Sequence, residues 1–270
     1  MRVVAHVSDL HFGRTDQSAL PALAQAIEAA QPDALVVSGD LTQRAREREF
    51  AEARAFLDSM PFPKIVVPGN HDIPLYDVVA RGLTPLARYK RHIAEETEPF
   101  FVDEEIAIAG INTARSLTIS GGRINKKQTQ RVCERFGASH RDVTRIVVTH
   151  HPFDLPDRSD FGGLVGRARM AIAAFAACRV DIVLSGHMHV GGADESTVRY
   201  KTPGHSMLLV QAGTATSSRL RGEANSCNII RIERPRIDIE HLAWDDERGD
   251  FAPAGAHKFL LTERGWVRAQ

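Results

Sequence analysis

Five short segments lie far apart in the chain: Asp9-Leu10-His11, Gly39-Asp40, Gly69-Asn70-His71-Asp72, His150-His151-Pro152 and Gly186-His187-Met188-His189. Most of them come directly after a run of apolar, β-branched residues. No other feature constrains the fold as much. Side chains at the carboxyl ends of parallel strands converge in one crevice. A chain that sets aspartate, asparagine and histidine at so many strand ends gathers N and O donors, a set suited to hard or borderline metal ions. Arg123, after Gly121-Gly122, belongs to a weaker sixth segment.

The pattern between these segments predicts the frame. Strands are expected at 3–7, 34–37 and 64–67. Helices are expected at 20–30 and 47–60, the second with Phe50, Ala53, Phe56 and Leu57 on one face. Strand, helix, strand, helix, strand implies parallel pairing with right-handed crossovers. From 73 to 98 the style changes. Leu83, Leu86, Tyr89 and Ile93 suggest a short amphipathic helix that carries Arg88, Lys90, Arg91 and His92. It comes directly after the third donor segment, so it is expected to overhang the site as a helical cap. Strands at 105–111, 145–148 and 181–184 alternate with helices at 126–136 and 170–177, and 153–166 reads as a loop. Beyond Gly192 the pattern becomes all-β, with strands at 197–200, 206–211, 225–233, 237–242 and 257–262. Without repeats or an interdomain linker, residues 1–270 read as a single α/β domain, with two sheets packed face to face and helices outside.

Composition excludes some partners. The 34 basic and 34 acidic residues cancel, which argues against a nucleic-acid binder. No stretch approaches the ~18 apolar residues of a membrane span. The first apolar run is too short for a leader peptide. Cys133, Cys178 and Cys227 are widely spaced and form no CxxC pair. They read as small buried hydrophobes or free thiols, which suits a reducing compartment. A cytoplasmic protein is expected.

Each donor segment alone is a weak signal, because Gly-Asp after a strand is often a turn or a helix cap. Their joint occurrence in this order resembles the calcineurin-like metallophosphoesterase superfamily over residues 9–189, with every ligand position intact. The resemblance implies a four-layer αββα sandwich with two mixed β-sheets and a binuclear metal site. It implies that Asp9, His11, Asp40 and His189 hold one ion, and Asp40, Asn70, His150 and His187 the other, with Asp40 shared. It selects His150 over His151 as the ligand. It makes His71 the non-ligand histidine that faces the substrate phosphoryl group, with Asp72 either orienting His71 or capping the next segment. The two ions are expected to be divalent or trivalent Fe, Mn or Zn, which suit mixed N and O donors.

The chemistry explains this donor set. Two cations roughly 3.5–4 Å apart can clamp a bridging hydroxide and bind phosphoryl oxygens. Two divalent ions facing only Asp9 and Asp40 leave the pocket net positive, so it attracts a phosphate anion. His71 is read as a general acid, or as a hydrogen-bond donor to the leaving or equatorial oxygen, because imidazole titrates near neutral pH. Arg44, Asn112 and Arg123 are candidate substrate contacts. Gly213-Thr214-Ala215-Thr216 reads as a tight loop near the site. The Arg88 cluster reads as a solvated helix face, with a substrate-gathering or membrane-surface role as the alternative. The motif wording is most similar to bacterial class III cyclic-nucleotide phosphodiesterases, which implies small phosphodiesters such as cyclic AMP. The alternatives are a lipid- or nucleotide-sugar pyrophosphatase, a broad phosphomonoesterase or a nuclease. A scaffold with a decayed site is the non-enzymatic alternative, and the intact ligand set argues against it. An oligomer could form if the last strand lies at a sheet edge.

Overall fold

The computed structural model describes residues 1–140, 142–155, 163–200, 205–217 and 223–269. β1 (Arg2–Val7), β2 (Ala34–Val37) and β3 (Lys64–Val66) run parallel, joined by α1 (Ala19–Ala30) and α2 (Glu47–Ser59). β10 (Ser226–Glu233) returns beside β1 in antiparallel register, with Val4 opposite Ile230. β11 (Arg236–Asp245), β12 (Asp250–Thr262) and β13 (Gly265–Arg268) continue as an antiparallel meander, giving the order β13-β12-β11-β10-β1-β2-β3.

The second sheet has the order β4-β5-β6-β7-β9-β8. Its parallel centre is β5 (Ile106–Gly110), β6 (Thr144–Val148), β7 (Ile182–Ser185) and β9 (Leu208–Gln211). The edges, β4 (Phe100–Val102) and β8 (Gly192–Glu195), are antiparallel. α5 (Lys126–Gly137) and α6 (Ala168–Ala177) cover its outer face.

Alternation along each strand splits the core into three layers. Val4, Val36 and Ile230 of the first sheet meet Ile108, Ile146 and Leu184 of the second. Ala5, Val7, Leu35 and Val37 point the other way, onto Leu23, Ile27, Phe50 and Leu57 of α1 and α2. Val147 and Val183 pack on Phe136, Ile172 and Phe175. Each fully buried side chain of this size contributes ~1.5–3 kcal/mol. This is the expected αββα sandwich with two mixed sheets.

Several expectations need correction. The single helix across Leu83 and Ile93 is two: α3 (Val78–Leu83) and α4 (Ala87–His92). Thr84-Pro85 separates them, since proline disfavours helix in the preceding residue. Leu83 therefore leaves the apolar face and is exposed, while Tyr89 is buried. The strand expected at 197–200 is a helical turn, α7 (Ser196–Arg199), closed by Tyr200 N–H to Ser196 O at 2.8 Å. Cys133 and Cys178 are not free thiols. α5 packs beside α6, so their Cα atoms lie 5.5 Å apart and they form a disulfide. Spacing rules read local pairs and miss a partner 45 residues away. The cysteine count therefore gives no argument for a reducing compartment; Cys227 is buried and free. β13 does lie at a sheet edge, but its Trp266 N–H donates to Ser206 O at 3.0 Å and its Arg268 N–H to Glu195 Oε1. Those donors are engaged within the chain. Of the loop read at 153–166, residues 156–162 lie outside the described residues. Among the described residues no helix is long and apolar enough to cross a membrane.

Candidate metal centre

The carboxyl ends of β1, β2, β6 and β7, and the loop after β3, meet between the two sheets. Backbone bonds stitch these loops together: Asp9 N–H to Gly39 O, His11 N–H to Asp40 O and Gly186 N–H to His150 O, each at 3.0 Å. Left-handed backbone recurs here. Asp9, His11, Asp40, His187 and His189 have φ of 54°, 49°, 51°, 74° and 61°. Such conformations cost of order 1–3 kcal/mol each outside glycine and persist where surrounding structure holds them. Two glycines permit the close approach. A Cβ on Gly69 would lie 2.1 Å from Asp40 Oδ1, and one on Gly186 would lie 1.8 Å from Ser8 Oγ.

Each carboxylate is held by one oxygen and presents the other. Asp9 Oδ2 accepts the Ser8 hydroxyl at 2.6 Å and the His187 N–H at 2.9 Å. Its Oδ1 lies 3.5 Å from both His11 Nε2 and His189 Nε2. Asp40 Oδ1 accepts the His71 N–H at 2.8 Å. Its Oδ2 lies 3.4 Å from His150 Nε2 and 3.9 Å from His11 Nε2. On the far side His150 Nε2 is 3.1 Å from Asn70 Oδ1 and 3.2 Å from His187 Nδ1. The seven residues expected as ligands thus converge as two sets, with Asp40 between them.

Partners behind the imidazoles fix which nitrogen faces inward. His150 Nδ1–H donates to Ser38 O at 2.8 Å. The Thr214 hydroxyl meets His189 Nδ1. Both leave Nε2 to the site. His151 stands close to His150 and His187 and shares a donor cluster with them. Its nitrogens, however, are both engaged: Nε2–H donates to Ser120 O at 3.1 Å and Nδ1 meets Thr113 Oγ1 at 2.8 Å. A carbonyl can only accept, so with Nε2–H on Ser120 O and Nδ1 on the Thr113 hydroxyl both nitrogens of His151 are in use.

The donor set fits cations. Asp9 Oδ1 and His11 Nε2 are buried without a hydrogen bond, a condition that costs ~1–3 kcal/mol per group. Asp9, His11 and His189 form one cluster of metal-ligand type, and Asp9, Asp40 and His150 another. Burial pushes the Asp40 carboxyl up, but the imidazoles of His150, His71 and His11 outweigh it and hold the group low. Burial pushes His150 down; Asp40 outweighs this and lifts it to about 9. Burial, then the charge of His150, takes His187 down to about 4. The carboxylates impose a negative field that a cation would answer.

His71 rests against this centre. Its ring lies 4.9 Å from that of His11, and its Nδ1–H donates to Gln43 O at 2.9 Å, which leaves Nε2 unengaged by that contact. Asp72 does not orient His71. Its carboxylate accepts the N–H groups of Thr42 and Gly69, both at 2.9 Å, and ties the second donor loop to the third. Arg44 stacks its guanidinium 5.3 Å over the Tyr76 ring. Asn112 Oδ1 accepts the Ala114 N–H at 3.0 Å, and Arg123 is exposed. The Arg123 N–H donates to Thr113 O at 3.0 Å, beside the Thr113 hydroxyl that meets His151. Ser8, Ser38, Gln43 and Thr214 support the site but gave no signal as individual residues; only Gly213-Thr214-Ala215-Thr216 stood out as a tight loop.

The calcineurin-like phosphoesterase family matches residues 2–191. The chain belongs to that family. It is 36% identical over 86 residues to a glycerophosphodiester phosphodiesterase of Enterobacter lignolyticus, a match over 26% of this chain and 29% of that protein. It is 25% identical over 197 residues to a probable cyclic nucleotide phosphodiesterase of Synechococcus, covering 69% of this chain and 72% of that one. The fold is similar to that of a dimetal phosphatase from Danio rerio, with a TM-score of 0.68 at 12% identity over 93% of this chain and 98% of the other. A purple acid phosphatase from yellow lupin is alike at a TM-score of 0.69 and 12% identity, over 95% of this chain and 53% of that one. These two likenesses concern fold alone.

Proposed function

We propose that this chain hydrolyses small phosphodiesters, cyclic nucleotides among them, at a centre of two metal ions. Asp9, His11, Asp40 and His189 would hold one ion, and Asp40, Asn70, His150 and His187 the other. Bound there, the pair would supply an activated water and neutralise phosphoryl charge. The observation that carries this reading is Asp40 Oδ2 lying between His150 Nε2 and His11 Nε2. With only Asp9 and Asp40 set against two cations, the pocket would keep a positive field for an anion.

The protein's own groups do the rest. Ser8 and the His187 N–H hold one oxygen of Asp9, which keeps the other turned inward. Gln43 holds the ring of His71 by its Nδ1–H, so a proton on Nε2 can pass to the leaving oxygen. Segment 73–98 acts as a cap at the mouth of a single domain, and Arg44 beside Tyr76 meets the substrate's outer phosphate oxygens. Phosphodiesters are chosen over monoesters because both curated relatives carry phosphodiesterase names.

A substrate panel with added Mn tests the reading, using bis(p-nitrophenyl) phosphate, its matching monoester, cyclic AMP and a nucleotide-sugar. The diester and cyclic AMP are expected to turn over faster than the monoester. A preference for the monoester contradicts the proposal.

A further inference from the structure

Eleven large apolar side chains are exposed among the described residues, and six of them lie in two short segments: Tyr76, Val78, Val79, Leu83, Leu117 and Ile119. Each is 68–84% exposed. Single exposed apolar residues are ordinary, but a group of them marks a contact surface. The two segments are neighbours. The Arg81 guanidinium donates to Pro74 O at 3.1 Å and to Thr118 O, which joins the α3 region to the 117–119 loop.

Both segments border the donor cluster. The first starts just after Asn70-His71-Asp72. The second is pinned by Ser120 O, which takes the His151 Nε2–H, and by Gly122, where a Cβ would strike the His151 ring at 2.2 Å. The patch is therefore a lip at the mouth of the site.

The charge of its border leans positive. The chain as a whole is neutral, and residues 73–98 carry four Lys or Arg against four acids, with Lys90 paired to Glu95 at 2.8 Å. Loop 113–125 carries Arg115 and Arg123 with no acid. Asp77 is paired with Arg88 at 3.1 Å, and Glu47 of α2 answers Arg91 at 2.8 Å. Arg44, Arg81, Arg115 and Arg123 remain as a cationic border. Apolar side chains ringed by arginine are the pattern of a surface that lies in the interface of an anionic bilayer. A second copy fits less well, since a stable protein interface draws on ~20–30 residues a side.

We propose that the lip formed by α3 and loop 117–119 docks on anionic lipid membranes, with the apolar side chains in the headgroup boundary and the arginines on lipid phosphates. Docking turns the mouth of the site to the bilayer surface. This goes beyond the diesterase reading and does not depend on it, because membrane contact can be measured without turnover.

The test is sedimentation of the full chain with vesicles of phosphatidylcholine plus phosphatidylglycerol, against vesicles of phosphatidylcholine alone. Wild type is expected to bind the anionic vesicles preferentially, and less as salt rises, because surface charge is screened. The variant carrying Val79→Ser, Leu83→Ser, Leu117→Ser and Ile119→Ser is expected to lose binding by at least ~10-fold, because apolar area in the boundary sets the strength. It should keep wild-type turnover of a soluble diester. Three results overturn the proposal: equal or no binding to the two vesicle types, a folded variant that binds like wild type, or a dimer in solution that the variant abolishes. The salt series on wild type stands even if the variant misfolds.

Discussion

The floor of the site and its rim are built by opposite rules. On the floor, Asp9, His11, Asp40 and His150 are buried, and backbone bonds tie their loops to one another. Five of the seven donors sit in left-handed backbone. On the rim, α3 and loop 117–119 show large apolar side chains to solvent and are joined through one guanidinium. The floor has one solution, because donors must meet within an ion's reach. The rim has many, because it need only suit what arrives. The difference teaches where substitutions should be costly.

The largest effect is expected at Asp40. Asp40→Ala removes the carboxylate that the proposed two-ion centre would share, so metal content and turnover should both collapse, beyond the ~10–100-fold typical of an outer partner. Metal analysis beside a diester assay reads this; retention of both would break the comparison. Next, His71→Ala should lower kcat by ~10²–10⁴-fold while metal content stays at wild type. Metal loss in step with activity would make His71 a ligand instead. Thr214→Val removes the hydroxyl behind His189 and should weaken metal affinity by ~10–100-fold, read by chelator competition.

A pH series sharpens the picture of the floor. His6 lies buried behind it, and burial takes its imidazole down to about 3 from 6.5. The folded state therefore binds fewer protons than the unfolded one between those values. Stability present above pH 6.5 is lost as pH falls towards 3, by ~2 kcal/mol at pH 5 on the scale of 1.36 kcal/mol per unit. Denaturant unfolding at pH 7 and 5 reads it, and His6→Gln should flatten the slope. The smallest effect belongs to the rim: Leu83→Ser should change stability by no more than ~0.5 kcal/mol, as for other surface positions.

The same contrast explains what the sequence disclosed. The seven donors were legible because each sits after a strand and its chemistry narrows the choice of residue. The strands of the inter-sheet core were legible because they are short continuous runs rich in Val, Ile and Leu. Edge strand β8, Gly-Ala-Asp-Glu, carries no β-forming residue, and its pairing with β9 is imposed by the sheet. Thr214 and Ser38 reach the imidazoles only through tertiary folding, so local pattern marked the 213–216 loop but not the contacts these two residues make. The Cys133–Cys178 pair depended on α5 lying beside α6, and the break at Thr84-Pro85 outweighed the apolar spacing that suggested one cap helix. Exposure of the rim is a property of the finished surface, not of any motif.

Anomalous diffraction from crystals soaked in Mn is the most direct test of the central claim. The account predicts two peaks roughly 3.5–4 Å apart, on either side of Asp40, one beside Asp9, His11 and His189 and the other beside Asn70, His150 and His187. A single peak, or peaks held by His151 in place of His150, would contradict it.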